Sequence, residues 1–542
     1  MRAEPAEPAG GGADRRRWVV LGVVLTSTFL VIGGVTIVNL AIPSIQQSLH
    51  AGFGEIMFAV AGYGLAYAAF LTTGGRLGDL LGRKRVLLTG LAVFTAAVAV
   101  GGLAPDTAVL IAARLLQGFG AALIYPQVLS IIDDTFEGRE RTFALGLFGA
   151  SIGVAIVAGQ LIGGAMIELD VFGLDWRPAF LVLVPIGLAA LLTGSLVMRA
   201  EPAKGAPLRI DQGGIALIAT ALLCLVLPLL IGPDLGWPWW TWAMAAAAGP
   251  ACALLIRHER SVVSSGRIPL IVPALFRQRS FAVGILIGFV YFVTVVGFTV
   301  YTTLTLQVGV GLDPLQAGLA FAPVGVAFFA ASLLAPRLVL SRGGRSVLSL
   351  GCTLLTLGLL ADFVSVSVAG SRVSGLTLLA PLLVVGAGEG FTMSPLIGSV
   401  LSGIRPEDRG AAAGALTTSF QLGQTIGVAG IGTLFSLLGA VPGAALEAEH
   451  YHAAYRTSLL LLTVFGLACL VLVSALPRAT SLQHRHHFHW AGHGRRVGAA
   501  HALYHLTGGH APHLLHQGTH HDRPAERAQP WDLPAPVTYG RN

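Results

Sequence analysis

Charged residues are scarce in this chain of 542 residues, since Asp, Glu, Lys and Arg together make up only 11% of it. An ordinary soluble domain contains roughly 25%, so a typical soluble globular protein is excluded. Hydrophobic residues make up 54% of the chain, and its mean hydropathy is +0.74. The apolar residues recur in long runs from residue 18 to about residue 476 instead of in one segment. The composition therefore predicts a polytopic membrane protein.

Cysteine is also scarce, and the four cysteines follow no metal-ligand spacing: Cys224, Cys252, Cys352 and Cys469. All four lie inside predicted spans, so we expect them to act as small buried apolar residues, and we predict no metal site and no cofactor. Metal binding by the histidines near the C-terminus, at His484, His486, His487 and His489, stays open as an alternative. The sequence contains no phosphate-binding P-loop, catalytic triad or metalloprotease signature. We therefore predict neither an enzyme nor an ATP-driven pump.

Fourteen apolar segments are long enough to cross a bilayer, which takes about 20 residues for a hydrocarbon layer of about 30 Å. Backbone amides in lipid have to be satisfied within their own segment, so we expect helices and not the short alternating strands of a barrel. Spans 1 to 14 are predicted at residues 18–42, 55–74, 86–104, 107–131, 142–167, 178–198, 213–232, 237–257, 280–306, 316–336, 346–365, 374–402, 411–438 and 456–476. The predicted fold class is an all-α polytopic membrane protein.

The distribution of Lys and Arg predicts the orientation of these spans. With the N-terminus inside, the inner segments without the C-terminal tail hold 23 of these residues, whereas the outer loops hold Arg177, Arg372 and Arg456. This asymmetry requires an even number of spans and predicts both termini in the cytoplasm. The net charge of +7 is then a consequence of topology, and no nucleic-acid partner is predicted.

An internal repeat relates the two ends of the apolar region. At an offset of 261 residues the loop after span 2 recurs after span 10, with Arg76, Gly82 and Val86 matching Arg337, Gly343 and Val347. At an offset of 268 residues span 5 resembles span 13. Both offsets shift the chain by eight spans. We therefore predict two six-helix bundles in the same orientation around a central axis, with spans 7 and 8 as an inserted hairpin.

The predicted domains follow from this repeat and from a change of composition near residue 477. They are a cytoplasmic N-terminus at 1–17, an N-terminal bundle at 18–198, the inserted transmembrane hairpin at 213–257, a C-terminal bundle at 280–476 and a tail at 477–542. The tail holds 12 of the 16 histidines and little apolar periodicity. It is predicted to be a disordered cytoplasmic segment.

The loop after span 2 carries the most specific pattern in the chain, G-x-L-x-D-x-x-G-R-K, matched at Gly75, Leu77, Asp79, Gly82, Arg83 and Lys84. This pattern resembles the signature loop of the major facilitator superfamily. The resemblance implies the fold of that superfamily, and a loop that latches its two halves on the cytoplasmic side in the outward-facing state. Gly75 and Gly78 would let another helix approach closely. Asp79 would then lie against a helix N-terminus, with the start of span 13 near Arg409 as the natural partner.

Further motifs resemble those of the fourteen-span drug:proton antiporters of that superfamily. They comprise the segment from Thr36 to Pro43 in span 1, the segment from Arg114 to Ala122 in span 4, Gly159, Gln160, Gly163 and Gly164 in span 5, and the segment from Gln421 to Thr433 in span 13. The resemblance covers roughly residues 18–476. Two positions depart from it, because Gly34 stands where the family often has an Asp, and Gln160 stands where it usually has a Pro.

Ionisable residues inside the spans are costly in lipid and are therefore functional candidates. Arg114 in span 4 and Glu389 near the middle of span 12 are predicted to serve proton coupling, whereas Asp362 near the outer end of span 11 is expected to reach the headgroups. The resemblance implies that spans 1, 4, 9 and 12 line the central cavity. The cavity candidates there are Asn39, Gln117, Tyr125, Gln127, Tyr291, Thr294, Tyr301 and Glu389.

The leading functional hypothesis is a proton-coupled exporter of small amphipathic compounds, such as drugs or secondary metabolites. It implies a monomer in the plasma membrane of a bacterium, with a small organic substrate, protons and the lipid bilayer as partners. An importer or facilitator of a defined metabolite is the first alternative, which Gly34 supports. A non-transporting membrane sensor that uses the His-rich tail is the second.

Overall fold

The computed structural model describes residues 11–199, 211–233, 235–265, 273–370, 373–401, 404–405, 409–438 and 448–476. Within those ranges nearly every residue is helical and no strand occurs, which confirms the all-α fold class. The helices are Gly11–Leu49, Phe53–Leu81, Arg83–Gly102, Thr107–Thr135, Gly138–Glu168, Arg177–Leu181 with Leu183–Val197, Gln212–Ile231, Trp239–Ser264, Arg279–Leu304, Pro314–Arg342, Gly344–Ala369, Gly375–Leu401, Arg409–Leu437 and Ala448–Ala475. These are spans 1 to 14 in chain order, span 6 being the broken pair. A π-helical turn, Thr305–Gly309, continues span 9.

In the described part of the chain, thirteen of these helices are long and apolar enough to cross a membrane. Span 13, Arg409–Leu437, has 29 residues but is not among the thirteen. Its polar residues explain the difference, because Gln421, Gln424 and Thr425 lie in one turn of this helix. Most helices extend beyond the predicted apolar segments, since the thickness of the hydrocarbon layer limits only the apolar part of a helix.

The two sets of six spans pack in matching patterns. Span 4 packs against spans 2 and 3 as span 12 packs against spans 10 and 11, and span 1 packs against spans 5 and 6 as span 9 packs against spans 13 and 14. Between the sets, span 2 packs against span 13 and span 5 against span 10. These two seams are exchanged by the same shift of eight spans. The pairing is the one that a parallel repeat predicts.

The repeated loop has the same backbone conformation in both copies. Gly82 has φ +90° and Gly343 has φ +82°, a left-handed conformation that glycine adopts without steric cost. The amide of Gly82 donates to the carbonyl of Gly78 at 3.0 Å, and that of Gly343 donates to the carbonyl of Val339 at 2.9 Å. Each glycine thus ends one span and begins the next, which explains why it occurs in both copies.

The inserted hairpin contacts both sets of spans. Span 7 packs against span 8 and also against spans 2 and 13. At one end of the hairpin the Thr433 hydroxyl of span 13 donates to the carbonyl of Leu229 at 2.6 Å. At the other end Asp211 is hydrogen-bonded to His258 at 2.8 Å and interacts electrostatically with Arg76 of span 2. The described residues of the hairpin therefore cover the seam between spans 2 and 13, and they do not pack against spans 5 and 10.

The prediction of buried cysteines is confirmed for Cys352 and Cys469. Cys224 is half-buried, and the prediction is wrong for Cys252, which is exposed on span 8. Span 8 contacts the bundle mainly through span 7, so most of its surface faces outward.

The predicted tail at 477–542 lies outside the described residues. We expect deletion of residues 482–542 to leave membrane insertion and transport largely intact, because the tail has no apolar face with which to join the bundle. Quantitative membrane fractionation and a transport assay at matched abundance test this. Loss of inserted protein in the truncated chain would contradict it.

Candidate functional site

Arg114 lies at the centre of a buried polar cluster in the first six spans. It is 1% exposed and donates from Nη1 to the carbonyl of Gly34 at 3.1 Å and to Oε1 of Gln117 at 2.7 Å. Its Nε donates to the carbonyl of Ala59 at 3.2 Å, and its guanidinium carbon lies 4.7 Å from the centre of the Tyr63 ring. Carbonyl groups and a π-face thus stabilise this cation, and no ion pair among the described residues includes it.

The position of the missing acidic residue, Gly34, lies within this cluster. A Cβ atom at Gly34 would lie 2.7 Å from Nε2 of Gln117 and 3.3 Å from the ring of Phe94. The amide of Gln117 therefore fills the space that a side chain at position 34 would occupy, and its oxygen accepts from Arg114. A neutral amide binds no proton at ordinary pH. In the described part of the chain the cluster contains no carboxylate, and Nη2 of Arg114 and Nε2 of Gln117 have no hydrogen-bond partner.

A small cavity of about 20 Å³ lies between the two sets of spans, with room for about one water molecule. It is lined from both sides of the seam by apolar residues and a few polar groups: Val35, Asn39, Val60, Ala61, Tyr63, Gly64, Val296, Val300, Gln424, Thr425 and Val428. Asn39 is the only predicted cavity residue in this lining. The wall is mostly apolar with few polar groups, but in this state the cavity is too small for an organic molecule.

The other predicted cavity residues lie elsewhere in the bundle. The Tyr125 ring contacts the rings of Tyr67 and Phe148, and Gln127 donates to the carbonyl of Gly74 at 2.8 Å. Thr294 bonds within its own helix, to the carbonyl of Val290. Tyr291 and Tyr301 are fully buried, and Gln117 belongs to the Arg114 cluster.

Arg83, Lys84 and Arg141 mark one side of the bundle, which we call the basic side. Toward the opposite side, spans 5 and 10 are in close contact. A Cβ atom at Gly164 would lie 2.8 Å from Cα of Leu315, and one at Gly153 would lie 3.2 Å from Cβ of Phe329. On the same face of span 5, one and two turns nearer the basic side, Cβ atoms at Gly149 and Gly146 would meet no described residue within 4 Å. The two helices therefore diverge toward the basic side.

The fifth-span motif packs between two helices. Gly163 faces Ile37 of span 1, where a Cβ atom would lie 3.3 Å from Cα, and a Cβ atom at Gly159 would overlap the hydroxyl of Thr36. Gly164 faces span 10 instead. Gln160 is fully buried, and its amide atoms have no hydrogen-bond partner in the described part of the chain. The first-span and fifth-span motifs are thus brought together at a seam.

Glu389 lies in the interior of spans 9 to 14. It is 4% exposed, and its Oε1 has no hydrogen-bond partner among the described residues. Its backbone carbonyl accepts from the hydroxyl of Tyr291 at 3.2 Å. Cβ atoms at the neighbouring glycines, Gly386 and Gly390, would overlap carbonyl oxygens of span 10, so these glycines hold span 12 close to span 10.

The expectation that Asp362 reaches the headgroups is wrong. Its side chain is fully buried, and Oδ2 accepts from the hydroxyl of Tyr455 at 2.8 Å. The same hydroxyl lies 2.8 Å from Oγ1 of Thr302. Asp362 therefore faces the interior of the bundle, because its helix is rotated so that this residue points toward span 14.

The structure places Gly74, Gly75 and Gly78 in the last turns of span 2 and not in a loop, and span 4 contacts them there. A Cβ atom at Gly74 would overlap the carbonyl oxygen of Ala122, and one at Gly78 would overlap Oε1 of Gln127. A Cβ atom at Gly75 would meet only Pro126, at an ordinary 3.7 Å. Close approach is therefore required at Gly74 and Gly78, and the approaching helix belongs to the same six spans.

The basic residues of the loop also bind within these spans. Arg83 forms an ion pair with Asp134 and donates to the carbonyl of Ser130 at 2.7 Å. Lys84 donates to the carbonyls of Ser195 and Met198. Asp79 is exposed, and the side chains at residues 409–411, which include its predicted partner, lie outside the described residues. The latch between them stays a prediction.

We expect Asp79→Asn to impair transport while leaving membrane insertion unchanged. A charge-assisted hydrogen bond contributes about 1.5–3 kcal/mol, and an equilibrium shifts tenfold per about 1.4 kcal/mol, so loss of the latch would shift the conformational balance by about tenfold or more. Transport at matched abundance is the measurement, with a substitution of the exposed Leu340 at the equivalent position of the second copy as control. Normal transport by Asp79→Asn would count against the latch.

Sequence reasoning missed three polar residues of the cavity wall: Tyr63, Gln424 and Thr425. Span 2 was not expected to line the cavity, so Tyr63 was not considered. Gln424 lies inside the thirteenth-span motif, which is the sequence feature that could have indicated its place in the cavity wall.

Comparison with known proteins identifies close relatives along most of the chain. It is 35% identical over 445 residues to a probable actinorhodin transporter of Streptomyces coelicolor, covering 81% of this chain and 76% of that protein. It is 34% identical over 466 residues to a cephamycin export protein of Amycolatopsis lactamdurans, covering 84% and 92%. A tetracenomycin C resistance and export protein of Streptomyces glaucescens is 30% identical, with 79% of each chain covered.

Solved structures share the fold at low sequence identity. PepTSo2 superposes with a TM-score of 0.61 at 15% identity, covering 85% of this chain and 98% of that chain. The nucleoside transporter NupG superposes with a TM-score of 0.58 at 12% identity, covering 85% and 100%. The profile of the Major Facilitator Superfamily matches residues 24–428. With its repeated six-span packing and its drug-efflux relatives, the chain belongs to the Major Facilitator Superfamily of membrane transporters.

Proposed function

We propose that this protein exports small amphipathic organic compounds, such as secondary metabolites or drugs, in exchange for protons. The observation that carries the proposal is its identity of 30–35% over about four-fifths of the chain to proteins named for transport or export of actinorhodin, cephamycin and tetracenomycin C. The apolar cavity between the two sets of spans supports a substrate of this chemistry.

The packing of the seam between spans 5 and 10 supports alternating access. Spans 5 and 10 are closed toward the side opposite the basic side and diverge toward the basic side. From the positive-inside rule we infer that the basic side, and both termini with it, lies in the cytoplasm of a bacterial cell. In that orientation the structure corresponds to a state closed to the outside, with a central cavity too small for an organic substrate. Export then requires the two six-span bundles to rock about this cavity.

Glu389 is our candidate for coupling to protons, with Arg114 on the facing half. Glu389 is buried without a hydrogen-bond partner on Oε1 among the described residues, and low-dielectric surroundings favour the neutral form of a carboxyl group. A cationic substrate favours the charged form. Competition between proton and substrate at one carboxyl group is sufficient for exchange. Arg114, which keeps its charge, would orient hydrogen bonds in the other half through Gln117 and Tyr63.

Everted membrane vesicles test the proposal directly. We expect vesicles that contain the protein to accumulate a fluorescent amphipathic cation when a proton gradient is imposed, and to release it when an ionophore collapses the gradient. Vesicles without the protein are the control. Gradient-independent equilibration would instead favour a facilitator, which the absence of a carboxyl group at Gly34 supports. No movement of any probe compound, with or without the proton gradient, would favour a non-transporting sensor.

A further inference from the structure

Asp362, Tyr455 and Thr302 join three helices of the second six-span set in one hydrogen-bonded chain. The Tyr455 hydroxyl donates to Oδ2 of Asp362 at 2.8 Å, so its oxygen is left to accept from the hydroxyl of Thr302 at 2.8 Å. All three residues lie about 10 Å from the end of their span on the side opposite the basic side, at a rise of about 1.5 Å per residue. The three hydrogen-bonded residues therefore lie at the same depth in spans 9, 11 and 14.

No described residue forms an ion pair that would compensate an ionised carboxyl group at Asp362. Its Oδ1 has no hydrogen-bond partner in the described part of the chain. Span 11 packs against spans 10, 12 and 14. The titratable and charged residues of those spans and of span 9 whose side chains the structure describes are Tyr301, Tyr451, His452, Tyr455 and Arg456 near this level and Glu389, Tyr291, Cys469, Arg279, Arg337 and Arg342 farther along the helices. The side chains of Glu449 and His450 of span 14 lie outside the described residues.

Burial of a charged carboxylate is unfavourable unless it is paired and fully hydrogen-bonded. Asp362 is fully buried and accepts one hydrogen bond from Tyr455, and no described residue donates to its second oxygen. A proton on that second oxygen removes the charge and leaves the Tyr455 bond unchanged. The pocket is therefore built for a carboxylic acid.

Two further polar groups lie nearer the opposite side. The hydroxyl of Tyr451, one turn from Tyr455, and Nδ1 of His452 have no hydrogen-bond partner in the described part of the chain. His452 is 8% exposed. Along span 14 both groups lie nearer the surface on that side than Tyr455 does.

Span 9 connects these hydrogen-bonded residues to the seam between the two sets of six spans. Tyr301, the residue before Thr302, donates to the carbonyl of Val428 at 2.7 Å and lies 3.4 Å from Sδ of Met57 in span 2. Val428 lines the central cavity. The π-helical turn Thr305–Gly309 follows directly, and such turns occur frequently at functional sites. A change in the hydrogen bonding of Thr302 therefore acts on the end of span 9, which contacts both sets of six spans.

We propose that Asp362, held by Tyr455 and Thr302, is a proton-binding site that loads from the side opposite the basic side. The proton comes from water on that side and returns to water, and only the O–H bond on the Asp362 carboxyl group forms and breaks. The loss of the proton leaves a buried charge, which disfavours the packing of spans 9, 11 and 14. Its use in transport rests on the proposed exchange of substrate for protons.

Infrared titration of the protein in lipid nanodiscs tests the site without requiring transport. We expect the wild-type protein to show the band of a protonated buried carboxyl group, and Asp362→Asn to lose one group's share of it. Tyr455→Phe removes the hydrogen bond but keeps the carboxyl group, so it should shift the band without loss of intensity. Identical spectra for wild type and both variants would overturn the proposal. Should Asp362→Asn fail to fold, an unshifted band in Tyr455→Phe would overturn it equally.

A second measurement separates this site from the proposed function. Tetraphenylphosphonium is added to the purified protein, and released protons are counted with an indicator dye. We expect the wild type to release protons when the cation binds. Asp362→Asn should still bind the cation but release one proton fewer per protein. Equal proton release by the two proteins would overturn the use of Asp362 in exchange. No proton release by the wild type would count against proton exchange itself, and the infrared titration would still decide whether Asp362 binds a proton.

Discussion

Replacement of Glu389 by Gln is expected to abolish proton-driven export of cationic compounds and to spare the binding or export of neutral ones. Gln has nearly the same shape as Glu, but its amide neither binds nor releases a proton and carries no charge. Because Oε1 of Glu389 has no hydrogen-bond partner among the described residues, the substitution breaks no hydrogen bond of that atom. The loss of proton-driven export should therefore come from the missing titratable group and not from a disturbed structure. Proton flux and export rate, measured in the same vesicles, test this.

The matched control for this variant is Glu389→Asp, which keeps a carboxyl group on a shorter side chain. Partial recovery of proton-coupled export in Glu389→Asp, at equal abundance, would support titration at this position. If Glu389→Gln still exports cations and still releases protons when substrate is added, Glu389 is structural. The coupling carboxyl group would then have to lie elsewhere, with Asp362 as the next candidate.

Substitution of Gly74 by Ala is expected to have the largest effect on stability. The new Cβ atom would overlap the backbone carbonyl of Ala122, and backbone cannot move aside as a flexible side chain can. Overpacking of this kind typically costs about 1–3 kcal/mol, occasionally more. We expect a lower melting temperature in detergent and less inserted protein, both of which fluorescence-detected size exclusion measures.

The adjacent residue provides the control for this prediction. Gly75→Ala places a Cβ atom 3.7 Å from Cβ of Pro126, and Ala is about 0.5–1 kcal/mol more favourable than Gly inside a helix. Its melting temperature should equal or exceed that of the wild type. Equal losses in Gly74→Ala and Gly75→Ala would argue that the close approach of spans 2 and 4 does not limit stability.

The sequence alone determined the membrane class, the number of helices and the repeat. A hydrocarbon layer sets a minimum apolar length for every span, so spans are readable without knowledge of their neighbours. The two loop glycines, Gly82 and Gly343, were also readable, because a left-handed turn between two helices depends on the residue at that turn. The family followed from motifs that lie within single loops and spans.

Only the tertiary structure decided which residues meet. The sequence placed Asp362 at a helix end, but the rotation of span 11 buries it against Tyr455, 93 residues away in the chain. Likewise, Gln117 fills the space beside Gly34, and span 4 contacts Gly74 and Gly78. In a membrane the hydrophobic pattern does not distinguish a helix face toward lipid from a face toward protein, because both are apolar. The partners of a polar side chain therefore depend on how the helices pack, and that packing is decided by small residues on many spans together.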